Sequence, residues 1–152
     1  MKTKTAIAAV LLLGLFGQSA AIAAAAKLHK AIGTAIDWNG AVTAIPSGTT
    51  VIDTATVKCT ATGGCIIRPE IVAQVISNGS AGQWQICALV DGNQISPGCP
   101  VQGIVPTSNY VVGNLRANAP VATGTHTVVF EVVMPSNGNI AAWEADYTIF
   151  KD

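Results

Sequence analysis

The sequence predicts an all-β protein, an antiparallel β-sandwich, with a jelly roll as the alternative arrangement. Three observations support this fold class. Beyond the N-terminal apolar segment, no stretch places apolar residues at the 3.6-residue spacing of a helix, whereas apolar and polar residues repeatedly alternate. The same region is rich in the β-branched residues Val, Ile and Thr. Gly, Pro and Asn interrupt it at short intervals, which predicts roughly seven to nine short strands.

Residues 1–26 have the composition of a secretory signal peptide, here a predicted signal helix. Lys2 and Lys4 precede an uncharged apolar run from Ala6 to Phe16, and small residues that suit a signal peptidase follow it. An uncleaved membrane anchor is the alternative, because no charge occurs from Ala6 to Ala26. Cleavage is favoured, so we expect an exported, periplasmic or extracellular protein with no membrane span after cleavage and one domain over residues 27–152.

The charge of the predicted mature chain disfavours nucleic acid as a partner. Of the eight Lys and Arg residues, Lys2 and Lys4 lie in the leader, which leaves six basic residues against eight Asp and Glu residues. No cluster of basic residues remains that could neutralise a row of phosphates.

Four cysteines, an even number in an exported chain, predict two disulfides. Local pairing is favoured, Cys59 with Cys65 and Cys87 with Cys99, because each enclosed segment contains turn glycines. A zinc site made of the four thiolates is the alternative, but their spacing matches no common zinc motif.

The alternating segments give the expected strands. In chain order they are Val51 to Cys59, Cys65 to Ile76 with an interruption at Pro69, Gln83 to Val90, Tyr110 to Leu115, Thr125 to Met134 and Ala141 to Phe150. Asp53 breaks the alternation of the first segment, so we expect that strand to begin after it. One further strand is expected around Gly40 to Ile45, in the weakly patterned region from Lys27 to Gly48.

A Ser-Asn-Gly motif occurs twice, at residues 77–79 and 136–138, and in each case a tryptophan follows five residues after the glycine. Both motifs lie between strand-like segments and are predicted to be hairpin loops. Trp84 and Trp143 each begin the apolar side of the next segment, so we expect them in the core with Phe130 and Tyr147.

Histidine chemistry has limited support in this sequence. His126 lies in phase with the apolar side of its strand, and no nucleophile motif accompanies it, so we predict no catalytic residue. His29 would be the third residue of the mature chain if cleavage follows Ala26, and such a terminus can bind Cu(II) or Ni(II) through nitrogen ligands. His29 is therefore a candidate metal ligand, and no other cofactor is expected.

The acidic residues give two weaker candidates. If the last two strands form a hairpin, Glu131 opposes Glu144 on the outer face, and such a pair requires a cation or a raised pKa. Water separating two solvated carboxylates is the preferred interpretation. Asp91 to Asn93, Asp-Gly-Asn, predicts a turn rather than a calcium loop, because the longer calcium-binding pattern is missing.

Part of the chain from Trp84 onward resembles bacterial secreted Ig-like modules. The matching pieces are Val90-Asp91-Gly92, the segment from Gly124 to Val128, and Asn137-Gly138. The resemblance implies an Ig-like sandwich without catalytic residues, and a binding, adhesive or structural role towards a protein or glycan of the cell envelope. A pilus or surface-fibre subunit, through a fainter likeness to chaperone-assembled pilins, and a small metal-binding or hydrolytic protein are the alternatives.

Overall fold

The computed structural model describes residues 27–37 and 42–151, and for residues 27–37 it describes the backbone alone. This part of the chain consists of strands joined by turns, without a helix. The strands are β1 (Lys27–Asp37), β2 (Thr43–Ile45), β3 (Gly48–Cys59), β4 (Cys65–Ser77), β5 (Gly82–Val90), β6 (Asn93–Gln94), β7 (Val101–Val105), β8 (Val111–Arg116), β9 (Ala119–Val121), β10 (Gly124–Met134) and β11 (Gly138–Lys151). The signal helix predicted for residues 1–26 lies outside the described residues.

Two antiparallel sheets form the molecule. Sheet A has the order β1-β11-β4-β8, with β2 beside β11 and β9 beside β4. Sheet B has the order β3-β10-β5-β6, with β7 also beside β5. The predicted antiparallel β-sandwich is confirmed.

The core lies between the sheets and follows from the alternation of each strand. Every second residue of β4, and of β10 from Val128 onward, is buried, including Phe130, because successive side chains of a strand point to opposite faces. The Phe130 ring lies 5.7 Å from that of Tyr147, centroid to centroid, at an interplanar angle of 38°. Trp84 is fully buried, whereas Trp143 packs against the core and stays partly exposed.

The Ser-Asn-Gly segments are arches between the sheets, so the prediction of two hairpins is wrong. Residues 78–81 lead from β4 in sheet A to β5 in sheet B, and residues 135–137 lead from β10 in sheet B to β11 in sheet A. The two arches lie together. The backbone N–H of Asn78 donates to the carbonyl of Asn137 at 2.8 Å, and the hydroxyls of Ser77 and Ser136 are 2.6 Å apart.

The arches also remove the predicted pairing of Glu131 with Glu144. Because β10 and β11 belong to different sheets, Glu131 pairs with Val51 and Cys87 in sheet B, and Glu144 pairs with Val72 in sheet A. No like-charge pair arises from these two residues.

Strand β3 begins before Asp53, contrary to the prediction. A shift in register between Phe130 and Glu131 leaves Ile52 without a direct partner on β10, so Val51 turns outward and is 55% exposed. Asp53 is partly buried and accepts a hydrogen bond from the Tyr147 hydroxyl. Burial, followed by this hydrogen bond, raises the pKa of Tyr147 well above its ordinary value of 10.0.

Pro69 does not interrupt β4, although proline has no N–H to donate. The carbonyl of Pro69 accepts a hydrogen bond from the N–H of Ala117, in the gap between β8 and β9. The N and C=O of one strand residue point to the same side, so the missing N–H faces this gap, outside the ladders that β4 forms with β8 and β9.

The N-terminal region contains a strand that the sequence pattern does not indicate. β1 pairs along β11 from Lys27, opposite Lys151, to Asp37, opposite Trp143, with two register shifts. The strand expected around Gly40 to Ile45 is the three-residue β2, which pairs with the start of β11.

Two disulfides stabilise the connections. Cys59–Cys65 joins the end of β3 in sheet B to the start of β4 in sheet A, with 5.8 Å between the Cα atoms. Cys87–Cys99 joins β5 to the loop before β7, and its Cα atoms are 4.3 Å apart. These are the pairs that the sequence favoured.

Candidate functional site

The outer face of sheet A carries a dense set of polar groups. We call the outward side chains of β4, β8 and β11 the sheet A face. Asp146 lies opposite Glu70, which in turn lies opposite Arg116, so that three charged residues form one row across three strands. The next row places Glu144 opposite Val72 and Val72 opposite Asn114.

These rows line a shallow groove of about 340 Å³, here called the polar groove. Its polar lining residues are Glu70, Asn114, Arg116, Glu144 and Asp146. Nε of Arg116 lies 2.6 Å from Oε1 of Glu70, and both side chains are well exposed. Because solvent screens such a pair, it contributes little to stability.

A second groove of about 250 Å³, here called the apolar groove, adjoins the first. It is lined by Val72, Gln74, Val112, Ala142, Trp143 and Glu144, and it shares Val72 and Glu144 with the polar groove. Val72 and Val112 are 46% and 62% exposed. The sheet A face therefore combines exposed apolar side chains with carboxylate, amide and guanidinium groups along one depression.

Contacts between side chains fix the far edge of this face. The guanidinium carbon of Arg68 lies 4.4 Å from the ring centroid of Phe150, a cation–π contact. Nε of Arg68 also donates to Oδ1 of Asn118 at 2.9 Å. The Phe150 ring thus covers the face of the Arg68 guanidinium group, and Asn118 binds its edge.

His126 and Asp91 form a separate polar cluster at the start of β10. Asp91 has a φ of 51° and Gly92 a φ of 79°, the left-handed pair that a two-residue hairpin requires, and they join β5 to β6. The turn expected at Asp91 to Asn93 is thus present. It aims the Asp91 carboxylate at β10, where Oδ1 accepts the N–H of Thr127 and Oδ2 lies 2.7 Å from Nδ1 of His126.

Both ring nitrogens of His126 act as donors in this arrangement. Nε2 lies 2.9 Å from the carbonyl oxygen of Ala122, and Nδ1 faces a carboxylate oxygen, so each partner can only accept. The hydrogen bond to Asp91 raises the pKa of His126 above its ordinary value of 6.5, and the Ala122 carbonyl acts in the same direction against the effect of burial. The same hydrogen bond lowers the pKa of Asp91. In the doubly protonated form, the ring donates to both partners at once and has no lone pair for general-base catalysis.

Metal binding and a membrane span are the remaining candidate features from the sequence. The side chain of His29 lies outside the described residues, so its predicted role as a metal ligand stays a prediction. Within residues 42–151, no group of three or more His, Cys, Asp or Glu side chains is arranged to hold a metal ion. In the same part of the chain, no helix has the length and hydropathy needed to cross a bilayer.

Sequence reasoning missed the sheet A face. The alternation of apolar and polar residues does indicate which side chains of each strand point outward. It does not indicate which strands are neighbours, because the arches set that order. Glu70, Asn114 and Glu144 are far apart in sequence and meet because β4 lies between β8 and β11. Recognising this face required the strand order.

Comparisons with known proteins give only distant similarities. No family model matches the sequence, and no curated protein matches it. Among solved structures, the sugar-binding C-terminal domain of EclA has 10% identity and a TM-score of 0.42, with 72% of this chain and 79% of that chain covered. A family 35 carbohydrate-binding module from Clostridium thermocellum has 10% identity and a TM-score of 0.38, with 75% and 98% covered.

A third similar structure is the GH26-CBM35 β-(1,4)-mannanase of Podospora anserina, with 11% identity and a TM-score of 0.32, covering 74% of this chain and 27% of that chain. The descriptions of these proteins name sugar binding or carbohydrate-binding modules and not Ig-like modules. With TM-scores this low, the similarities carry no argument about the function of this chain, and its own residues must supply one.

Proposed function

We propose that this protein is an exported, non-catalytic binding module whose sheet A face holds a segment of a glycan chain. The single observation that carries the proposal is the pair of adjoining grooves on that face. One is lined by carboxylate, amide and guanidinium groups and the other by exposed apolar side chains.

The polar groove suits the hydroxyl groups of a sugar. Carboxylates such as Glu144 accept hydrogen bonds only, the guanidinium of Arg116 donates only, and the amide of Asn114 does both. A sugar hydroxyl both donates and accepts, so neighbouring hydroxyls can use these groups together. The backbone N–H of Asn114 is fixed by Oε1 of Gln102 at 2.9 Å, which keeps this part of β8 in place.

The apolar groove suits the C–H surface of a sugar ring. Val72 and Val112 line this groove and are 46% and 62% exposed. Aromatic and aliphatic surfaces gain free energy when they are covered by the apolar surface of a ligand, at about 25 cal/mol per Å² of apolar area removed from water. The sharing of Val72 and Glu144 between the grooves suits a ligand that continues from one to the other, such as a polymer segment.

The carboxylate of Glu144 and that of the Glu70–Arg116 pair both line the polar groove, so this groove suits a neutral ligand better than a polyanion. Two disulfides suit an oxidising compartment outside the cytoplasm, where glycans of the cell envelope are found. Signal cleavage near residue 26 and a single domain over residues 27–152 are parts of the same proposal.

The test is affinity electrophoresis of the purified mature protein in gels that contain neutral and acidic soluble polysaccharides. We expect at least one neutral polysaccharide to retard the protein. Glu144→Gln and Asn114→Ala should each weaken that binding by about fivefold to tenfold, the effect of one lost hydrogen bond.

Glu131→Gln is the matched control, since it makes the same change of charge on the outer side of sheet B. It should leave the retardation unchanged. Absence of retardation by every polysaccharide, or equal losses for Glu131→Gln and Glu144→Gln, would overturn the proposal.

A further inference from the structure

The Asp91–His126 pair lies in a cleft that the proposed glycan surface does not use. The cleft has a volume of about 430 Å³, within the usual range of about 300–1,000 Å³ for small-molecule sites. Residues 90–96 of the β5–β6 hairpin form one wall, residues 118–122 of sheet A form the other, and His126 lies between them. The cleft lies beyond the far edge of the sheet A face, and none of its lining residues lines the polar or the apolar groove.

The polar side chains of this cleft are held in place by contacts that leave other atoms available. Oδ1 of Asn118 accepts from Arg68 at 2.9 Å, which leaves the Asn118 amide nitrogen as a donor. Nδ2 of Asn93 donates to the backbone carbonyl of Asp91 at 3.2 Å, which leaves the Asn93 amide oxygen as an acceptor. Groups that are already oriented lose little entropy when a ligand binds.

The cleft wall holds one carboxylate, and both of its oxygens are already engaged. Oδ2 of Asp91 lies 2.7 Å from Nδ1 of His126, its Oδ1 accepts the N–H of Thr127, and apart from this pair the lining residues are uncharged. Ile95, Pro120 and Val121 add apolar surface. We propose that this cleft is a second binding site, for a small neutral molecule that carries hydroxyl or amide groups beside an apolar surface.

The test is an NMR titration of the isotope-labelled mature protein with glucose and with N-acetylglucosamine. Acetate and ethylammonium serve as charged probes of small size. We expect saturable shifts of the Asn93 and Asn118 side-chain amides and of the His126 ring with at least one sugar, and none with the charged probes. Asn118→Ala should weaken the binding about fivefold, as expected for one lost hydrogen bond.

Asn109→Ala is the matched control, because it removes the same side chain from an exposed position that lines neither groove nor the cleft, and it should leave the cleft affinity unchanged. Lack of saturable shifts with both sugars, equal shifts with acetate, or full affinity in Asn118→Ala would refute the second site. Shifts of Asn114 report the sheet A face separately, so failure of either proposal is distinguishable from failure of the other.

Discussion

At the residue scale, His126 couples the protonation of one imidazole to the contact between three chain segments. Its ring bridges the Asp91 turn and the carbonyl of Ala122, and the residue itself lies near the start of β10. The His126 side chain is 12% exposed. Asp91 is the charged group that faces it, and Lys58 on the neighbouring β3 is on the opposite, exposed side. When the doubly protonated His126 ring loses one proton, one of its nitrogens no longer donates. That nitrogen then faces an acceptor, either the Asp91 carboxylate or the Ala122 carbonyl.

We therefore predict that this pair makes the protein less stable as the pH rises above 6.5 and through the raised pKa of His126. The folded pKa of His126 is raised above 6.5, so its contribution is fully present below pH 6.5 and is lost as the pH rises through the folded value. Asp91 behaves in the opposite sense: its contribution is present above pH 3.8 and is lost as the pH falls through its lowered folded pKa. Urea unfolding at a series of pH values, with the free energy of unfolding as the result, measures both limbs.

His126→Gln provides the comparison for the upper limb. It retains hydrogen-bonding capacity without a proton that titrates in this range. The variant should be less stable than the wild type below pH 6.5, and the difference should shrink as the pH rises. A constant difference across the range would show that the imidazolium is not responsible.

At the element scale, the arches determine which strands become neighbours. Asn-Gly turns occur both in hairpins and in connections between sheets, so the local sequence of residues 77–79 and 136–138 does not distinguish them. The difference lies in tertiary contacts: Ser77 is fully buried, and its hydroxyl also donates to the carbonyl of Ser80 at 2.8 Å. The side chains that join the arches are about sixty residues apart in sequence.

We predict that Ser77→Ala destabilises the protein by about 1–1.5 kcal/mol, because it removes the buried hydroxyl whose hydrogen bonds join the two arches. The partners are the Ser136 hydroxyl, the Ser80 carbonyl and the N–H of Gly79. Urea unfolding gives the free energy difference.

Ser80→Ala is the matched control for this prediction. Ser80 contributes its backbone N–H and carbonyl to the junction, and substitution of its side chain keeps both. It should therefore change stability by less than about 0.5 kcal/mol. Similar effects of the two substitutions would mean that the arches are not joined through Ser77.

The strands themselves were largely predictable, and the failures have physical causes. β5 and β10 follow the expected alternation because one face of each is buried. The pattern cannot show that Asp53 points inward, since its acceptor role depends on Tyr147 of the other sheet. Pro69 misled the analysis because its tolerance depends on the gap between β8 and β9. The candidate site could not be predicted at all, because it requires the order of β8, β4 and β11.

At the scale of the whole molecule, the two sheets are packed through the ring of Trp84. The indole of this sheet B residue occupies the space above Gly113 in sheet A: a Cβ on Gly113 would lie 2.5 Å from Cη2 of Trp84. Trp84 is 1% exposed, and a close-packed interior gives a buried ring little room to move. A residue without a side chain at this position therefore sets the distance between the sheets.

We predict that Gly113→Ala costs about 1–3 kcal/mol of stability through overpacking. Gly63→Ala is the matched control, because a Cβ on Gly63 meets no atom within 4 Å. Thermal or urea unfolding of both variants gives the comparison. Equal stability of Gly113→Ala and the wild type would show that the sheets do not pack on this contact.

The central claim is that the outer face of sheet A is the ligand-binding surface of a two-sheet module. Chemical-shift mapping of the whole mature protein with the retarding polysaccharide tests it most directly. We predict that perturbed amides concentrate in β4, β8 and β11, around Val72, Asn114 and Glu144. Perturbations concentrated instead on the outer side of sheet B, around Thr56 and Glu131, would contradict the claim.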